Sequence, residues 1–326
     1  MKRRWQQLRN KDPLISIVRW FDGEAGTDQV SSRDLDRVDW LRVIPFVSLH
    51  LACLLVIWVG WSPVAVATAI GLYVIRMLAI TGVYHRYFSH RTYKMSRFWQ
   101  FIGAVIAGSS AQRGPLWWAA HHRHHHRFAD QPEDIHSPVQ RGFWWSHVTW
   151  ILTPRHFPTN KAMAKDWAKY PELVFLNRYS IIAPLVLLSV LIILGECLRV
   201  YVPSTGTSGV QMGLWGFFIS TVVLFHATAT INSLDHLIGR RRYNTPDRSR
   251  NNWLLALITF GEGWHNNHHH YPIATRQGFF WWEIDMTYCL LVVLSWLGIV
   301  RDLTPVPPRK RDSNRIDALA TAPETL

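Results

Sequence analysis

The chain has 326 residues, of which 48% are hydrophobic, only 17% are charged and 18 are tryptophan. So few charges and so many tryptophans exclude an ordinary soluble globule, because tryptophan concentrates at membrane–water interfaces. The formal charge of +13 comes without a nucleic-acid-binding motif, so it points to anionic lipid head groups or an acidic protein partner.

Residues 1–40 are of mixed charge. The basic start (Lys2, Arg3, Arg4, Arg9, Lys11) runs into Asp12 and Pro13 rather than a sustained apolar run, which excludes a cleaved signal peptide. An amphipathic stretch at Pro13–Phe21 makes this segment a cytoplasmic arm lying on the membrane surface. Four apolar stretches follow, near residues 41–61, 63–84, 181–200 and 212–231. Each reaches the roughly 20 residues a helix needs to cross a bilayer. The first two form a hairpin around Ser62. A shorter piece, 98–111, is expected to be re-entrant or buried. Residues 278–300 are apolar but carry Glu283 and Asp285, so an interfacial helix is preferred there over a fifth span. From Thr304 the chain is rich in Pro, then Arg and Lys, and reads as a disordered tail over 304–326. Cys53, Cys197 and Cys289 fit no disulfide or thiolate-metal pattern.

Loop charges set the orientation. The link after the first stretch has no Lys or Arg, and the one after the third is preceded only by Arg199. By contrast, Arg86, Arg91, Lys94 and Arg97 follow the second stretch, and Arg240, Arg241, Arg242, Arg248 and Arg250 follow the fourth. Both termini and both long connections are therefore expected in the cytoplasm. The predicted fold is an all-α membrane protein, with four transmembrane helices and a cytosolic helical cap. The membrane domain covers 41–303, with the cap drawn from 85–180 and 232–303.

The chain holds 17 histidines, most of them in three clusters on that one side. The clusters are His85 with His90, the run from His121 to His126, and His265 with His268, His269 and His270. Imidazole is a common ligand for iron, zinc, copper and nickel. His122, His125 and His126 occupy roughly 100° of one helix face, and His265, His268 and His269 repeat that spacing. His85 and His90 lie about 140° apart on an α-helix, so they should serve two metals or straddle a helix end. Asn232 and His236 are spaced i, i+4 at the end of the fourth stretch. This makes nine histidines, with Asn232 available as a tenth ligand through a bound water.

These boxes, His85-x4-His90, His122-x2-His125-His126 and His265-x2-His268-His269, resemble those of integral-membrane fatty acyl desaturases. The flanking residues resemble the stearoyl-CoA (Δ9) type, without a fused cytochrome domain. They are Tyr84 through Arg91, Arg141-Gly142-Phe143 with Ser146-His147-Val148, Asn232-Ser233 with His236, and Gly261 through Asn266. The resemblance spans about residues 40–300. It implies a four-span enzyme whose nine histidines hold two iron ions, and which uses O2 and two electrons to place a cis double bond in a saturated acyl chain. It also implies that Gln112, Trp118 and Thr228 shape the bend of an acyl tunnel, with Tyr73 and Met77 at its floor.

Asp130, Glu133, Asp134 and Glu262 lie beside the boxes, where they could orient ligand imidazoles or simply be solvated. Ala120 stands where the animal acyl-CoA enzymes have an arginine that helps hold CoA phosphates, so acyl-CoA and acyl-lipid both stay open as substrate. His121, His124 and His270 are expected near the site without ligating, and His50, His136, His147, His156 and His226 as structural. With no haem-binding or dinucleotide motif in the sequence, electrons are expected from a ferredoxin or a cytochrome b5-like protein, and the chain is expected in a bacterial inner membrane. A related di-iron hydroxylase is the alternative. A histidine-rich metal transporter is disfavoured, because transporters place ligands at the bilayer midplane.

Overall fold

The computed structural model describes residues 13–25 and 35–316. The basic N-terminal residues up to Lys11 and the tail beyond 316 lie outside the described residues. Among the described residues the regular elements are helices, apart from one antiparallel ribbon of β1 (Lys94–Met95) and β2 (Val300–Arg301). Helix α1, Pro13–Phe21, occupies the amphipathic stretch of the arm. Its Trp20 indole donates to the Leu41 carbonyl at 3.0 Å, which ties it to the start of the membrane domain.

The expectation of four spans is not met. Among the described residues three helices are long and apolar enough to cross a membrane: Pro63–Ser89, Ile182–Tyr201 and Gly209–Ser233. The first apolar stretch instead forms α2, Ile44–Cys53, a turn, and α3, Val56–Val59. Pro45 starts this segment late, and Gly60, with φ of 69°, ends it early. Its residues 44–59 rise only about 24 Å, short of a hydrocarbon core of about 30 Å.

Helix α4, Pro63–Ser89, begins where the Ser62 hydroxyl accepts from the Ala65 amide at 3.2 Å. It is α-helical to Ala79 and then winds as a π-helix from Ile80 to Ser89. Helix α5, Arg97–Gly108, fills the segment too short to span, and α6, Pro115–Phe128, carries the second histidine cluster. Helices α7 (Ile182–Tyr201) and α8 (Gly209–Ser233) pack closely at one end. There a Cβ on Gly195 would lie 2.6 Å from the Gly209 Cα, so only glycine fits. Helix α9, His265–His270, carries the third cluster. Helix α10, Met286–Trp296, has 11 residues and is too short to cross.

The core joins these elements. Met77, Ile80, Tyr84 and Phe88 of α4 meet Ala104 and Ala107 of α5, Leu116 and Ala119 of α6, Leu224 of α8 and Leu291 of α10. Each large apolar side chain buried here contributes about 1.5–3 kcal/mol. The alanines let α5 and α6 approach α4 closely, which brings the second histidine cluster against the first.

Residues 304–316, expected to be disordered, are a packed strap. The Thr304 amide donates to the Thr92 carbonyl at 2.9 Å, and the Tyr243 hydroxyl donates to the Arg311 carbonyl at 2.6 Å. A short helix, Pro308–Asp312, lies between them and a bridge from Tyr243 to Arg315. The prolines pre-set the path, and the cap supplies the hydrogen-bond partners that a composition argument does not count.

Candidate metal centre

The nine histidines singled out by spacing come together as two groups. His85, His90, His122, His126 and His268 form one, and His125, His236, His265 and His269 form the other. Within each, one ring nitrogen per histidine lies within 4.8 Å of all the rest.

The first pair shows why α-helical angles misplace it. His85 and His90 share a group, although 140° was expected to separate them. Helix α4 has turned π-helical there, and the His90 amide bonds back to the His85 carbonyl at 3.2 Å. In a π-helix, hydrogen bonds run i to i+5, so residues five apart return to nearly the same face. The other boxes do the reverse. His122 and His126 of α6 face the five-membered group while His125 faces the four-membered one. On α9, His268 faces the five, and His265 and His269 face the four. Each helix runs past both groups and serves both.

Carboxylates fix the ring orientations. His125 Nδ1 donates to Asp134 at 3.0 Å, His236 Nδ1 to Asp130 at 2.8 Å, and His269 Nδ1 to Asp247 at 2.9 Å. His85 Nδ1 pairs with Glu262. A proton on Nδ1 leaves the Nε2 lone pair pointing inward as a ligand. Burial alone would raise the Asp130 carboxyl, but His236 offsets this and holds it down to about 2. Asp134 and Asp247 are likewise held low by His125 and His269 against burial. Burial and neighbouring imidazoles keep His122, His126, His265 and His268 far below the usual histidine range, so these rings are neutral.

Glu262 is positioned by backbone geometry. Gly261 takes φ of 123°, and a Cβ there would collide with Asp285 and Arg86. Arg86, fully buried, donates to Glu262 at 3.1 Å and to Asp285 at 2.9 Å. Of the four acids suspected beside the boxes, Asp130, Asp134 and Glu262 hold histidines, and Glu133 is exposed. Asp247 was missed: it sits in the arginine-rich loop, and no spacing to a box announces it.

The donor set fits metal ions. Nε2 atoms face one another at 3.1 Å between His85 and His268, 2.7 Å between His90 and His122, and 3.1 Å between His236 and His265. Buried His125 Nε2 and His269 Nε2 have no hydrogen-bond partner. Imidazole nitrogens that converge this closely, two of them buried without a partner, form a donor set suited to a shared cation. The clusters are consistent with a di-iron centre.

The remaining histidines are occupied elsewhere. His121 bonds the Trp117 carbonyl, His124 the Glu133 carbonyl and His270 the Lys310 carbonyl. His136 stacks on His125, with ring centroids 4.4 Å apart. Buried His156 packs edge-on against Trp150. His50, His226 and His147 form a hydrogen-bonded chain with 3.1 Å steps that links α2 to α8.

A cavity of about 270 Å³ reaches His85, His122, His125 and His265. Gln112, Trp118, Thr228 and Asn232 line it, and the Gln112 amide donates to the Thr228 hydroxyl at 2.9 Å. Trp118 stacks on His122 at 5.1 Å. Tyr73 and Met77, expected at the tunnel floor, are not in this lining. The Tyr73 hydroxyl donates to the Ile258 carbonyl and Met77 is wholly buried in the core, so Ile80 and Thr81 are the parts of α4 that face the cavity ahead of His85.

Comparison with known proteins agrees with this geometry. Residues 58–297 match the family model described as fatty acid desaturase. The chain is 33% identical to an sn-2 palmitoyl-lipid 9-desaturase of Nostoc sp. (strain 36), over 83% of this chain and 92% of that protein. It is 34% identical to an sn-1 stearoyl-lipid 9-desaturase of Synechocystis, over 94% and 92%. It is also 34% identical to a chloroplastic palmitoyl-monogalactosyldiacylglycerol delta-7 desaturase of Arabidopsis thaliana, over 83% and 70%. With most of its length aligned and its histidines gathered as a metal-binding cluster, the chain belongs to the fatty acid desaturase family.

Proposed function

We propose that this membrane-bound, di-iron-type fatty acyl desaturase inserts a cis double bond at Δ9 of a saturated acyl chain carried on a lipid or on CoA. The observation that carries this is the cavity itself, a mostly apolar passage that ends on histidines of both groups. When bound, the two irons supply activation of O2 and the power to take hydrogen from an unactivated C–H bond, which side chains lack. His85, His90, His122, His126 and His268 would hold one iron. His125, His236, His265 and His269 would hold the other, with Asn232 reaching it through a water.

The protein's own contribution is positional. Trp118, Gln112 and Thr228 form the cavity wall beside the histidines, so they fix which carbons of the chain come to rest there and keep water out. The Δ9 assignment is supported by the names of the two cyanobacterial relatives. The basic residues after the first and third of the long apolar helices assign both histidine-bearing connections to the cytoplasm. Electrons would come from an acidic carrier, a ferredoxin or a cytochrome b5-like protein, meeting the basic loop at 240–250.

Expression in a host that lacks unsaturated fatty acids tests the reading. Lipid profiling is expected to show a cis-9 monoene, absent from the His268→Ala variant. Hydroxylated chains, or unchanged lipids when iron and reductant are supplied, would sink it.

A further inference from the structure

The same cavity has an arginine-rich region that the desaturation chemistry does not use. Arg19, Arg42 and Arg113 all line it, with Trp20, Trp117 and Phe157. They come from three separate elements: α1, the residues just before α2, and the loop before α6. Arg42 is only 8% exposed. Its guanidinium lies 3.9 Å over the Phe157 ring, and Arg113 approaches the same ring at 5.1 Å. Two cations therefore share one aromatic ring.

Compensation for these charges is thin. Arg42 Nη2 is buried without a hydrogen-bond partner. Burial, then Arg113 and Arg19, push the Arg42 guanidinium down to about 8, with Asp39 the one acid opposing the shift. Burial likewise lowers Arg113 to about 10, and no carboxylate among the described residues offsets it. A buried, under-paired guanidinium facing a cavity is costly unless an anion completes it. Arginine's planar fork suits the oxygens of a phosphate.

The chemistry of the substrate says which anion. The carboxyl of the acyl chain is consumed in its ester or thioester, so the first charged group beyond that bond is a phosphate of the carrier. Arg42 lies two residues before α2 and lines the cavity together with Trp20 and Trp117, side chains of the kind found at the level of interfacial head groups. We infer that Arg42 and Arg113, with Arg19 beside them, form a binding site for the phosphate of the acyl carrier, so that this enzyme selects acyl chains on phosphate-bearing carriers over those on neutral glycolipids. The inference rests on the reading that the cavity takes the acyl chain. Phospholipid and CoA share the required group.

The test is equilibrium binding to the full-length, iron-loaded protein in detergent. The probes are radiolabelled dipalmitoylphosphatidylglycerol, palmitoyl-CoA and dipalmitoyl monogalactosylglycerol. At least one phosphate ligand is expected to bind about tenfold or more tightly than the galactolipid, the scale of one charge-assisted hydrogen bond. Arg42→Gln is expected to erase that preference, and Arg42→Lys to restore part of it. Arg113→Gln provides a second variant should Arg42→Gln fail to fold. Whichever phosphate ligand binds tighter identifies the carrier. Equal binding of the galactolipid, or a preference unchanged in folded Arg42→Gln or Arg113→Gln, would overturn the inference. Incubation of the same ligands with reductant and O2 reports separately on desaturation. A phosphate preference without any new double bond would sink the desaturase reading and leave the anion site standing.

Discussion

The two histidine groups differ in how their rings are held. In the four-membered group, His125, His236 and His269 each donate to a carboxylate, Asp134, Asp130 and Asp247. In the five-membered group, Glu262 on His85 is the one such carboxylate among the described residues. An imidazole that donates to a carboxylate is a stronger ligand. Three reinforced rings in one group thus stand against one in the other, whose remaining four rings have no carboxylate partner among the described residues. The group with fewer ligands gets more negative charge around it, and it borders the cavity where Asn232 lies. The two histidine groups are not equivalent in the acids around them, and that inequality can be attacked residue by residue.

The largest effect should come from neighbours on one helix. His125 and His126 are adjacent on α6 but face different groups. His125→Ala should lose the metal of the four-membered group and His126→Ala that of the five-membered one, each variant keeping the other ion. Both should lose desaturation. Metal content by mass spectrometry, with Mössbauer spectra of the residual iron, decides the matter. Identical residual spectra in the two variants would break the assignment into two groups.

Next in size is Arg86→Met. Arg86 is the partner that keeps Glu262 and Asp285 paired. Removing one member of a buried ion network leaves uncompensated charge and costs about 3–5 kcal/mol. Denaturant unfolding in detergent should show that loss. The same variant should weaken metal binding mainly in the five-membered group, because Glu262 would no longer be anchored where it holds His85.

The acids themselves come third. Asp134→Asn and Asp247→Asn should each lower metal affinity about 10- to 100-fold, and only for the four-membered group. Glu262→Gln should do so only for the five-membered group. Competition with a chelator measures each step. If all three substitutions weaken both metals equally, the contrast between the groups is wrong.

Spacing singled out the nine histidines that fall into the two groups and left Asp130, Asp134 and Glu262 open between orienting a ring and being solvated; only Asp134 holds a histidine of its own box, while Asp130 and Glu262 hold His236 and His85 from far away in the sequence. Spacing did not find the division into five and four. That division depends on the π-helical turn at Ile80–Ser89, and nothing in the apolar pattern of that helix announces a change of pitch. Asp247 was out of reach for a related reason: the loop bearing it reads as a charged surface, and only folding brings it to His269. The first apolar stretch misled in the opposite way. Its composition is that of a span, but Pro45 and Gly60 set its ends by local geometry that a hydropathy window averages away.

The smallest effect expected is at Arg76, and it isolates what makes Arg86 matter. Both arginines lie on α4, ten residues apart, and both are fully buried. An arginine within a membrane-spanning helix is expected to snorkel or to pair with an acid or a head group. Instead Arg76 donates to the Ser220 hydroxyl, to Thr221 at 2.8 Å, to the Ser109 carbonyl at 3.3 Å and to the Leu72 carbonyl at 3.2 Å. No carboxylate among the described residues depends on it. Removing it strands no opposite charge, and Ser220 keeps its bond to the Gly216 carbonyl at 2.6 Å. Methionine removes the desolvation cost of a buried cation, which offsets the hydrogen bonds that Thr221 and the Ser109 carbonyl lose. Arg76→Met should therefore change stability by no more than about 1 kcal/mol and leave both metals bound. A loss as large as that of Arg86→Met would mean that burial on α4, rather than the acids around the five-membered group, sets the cost.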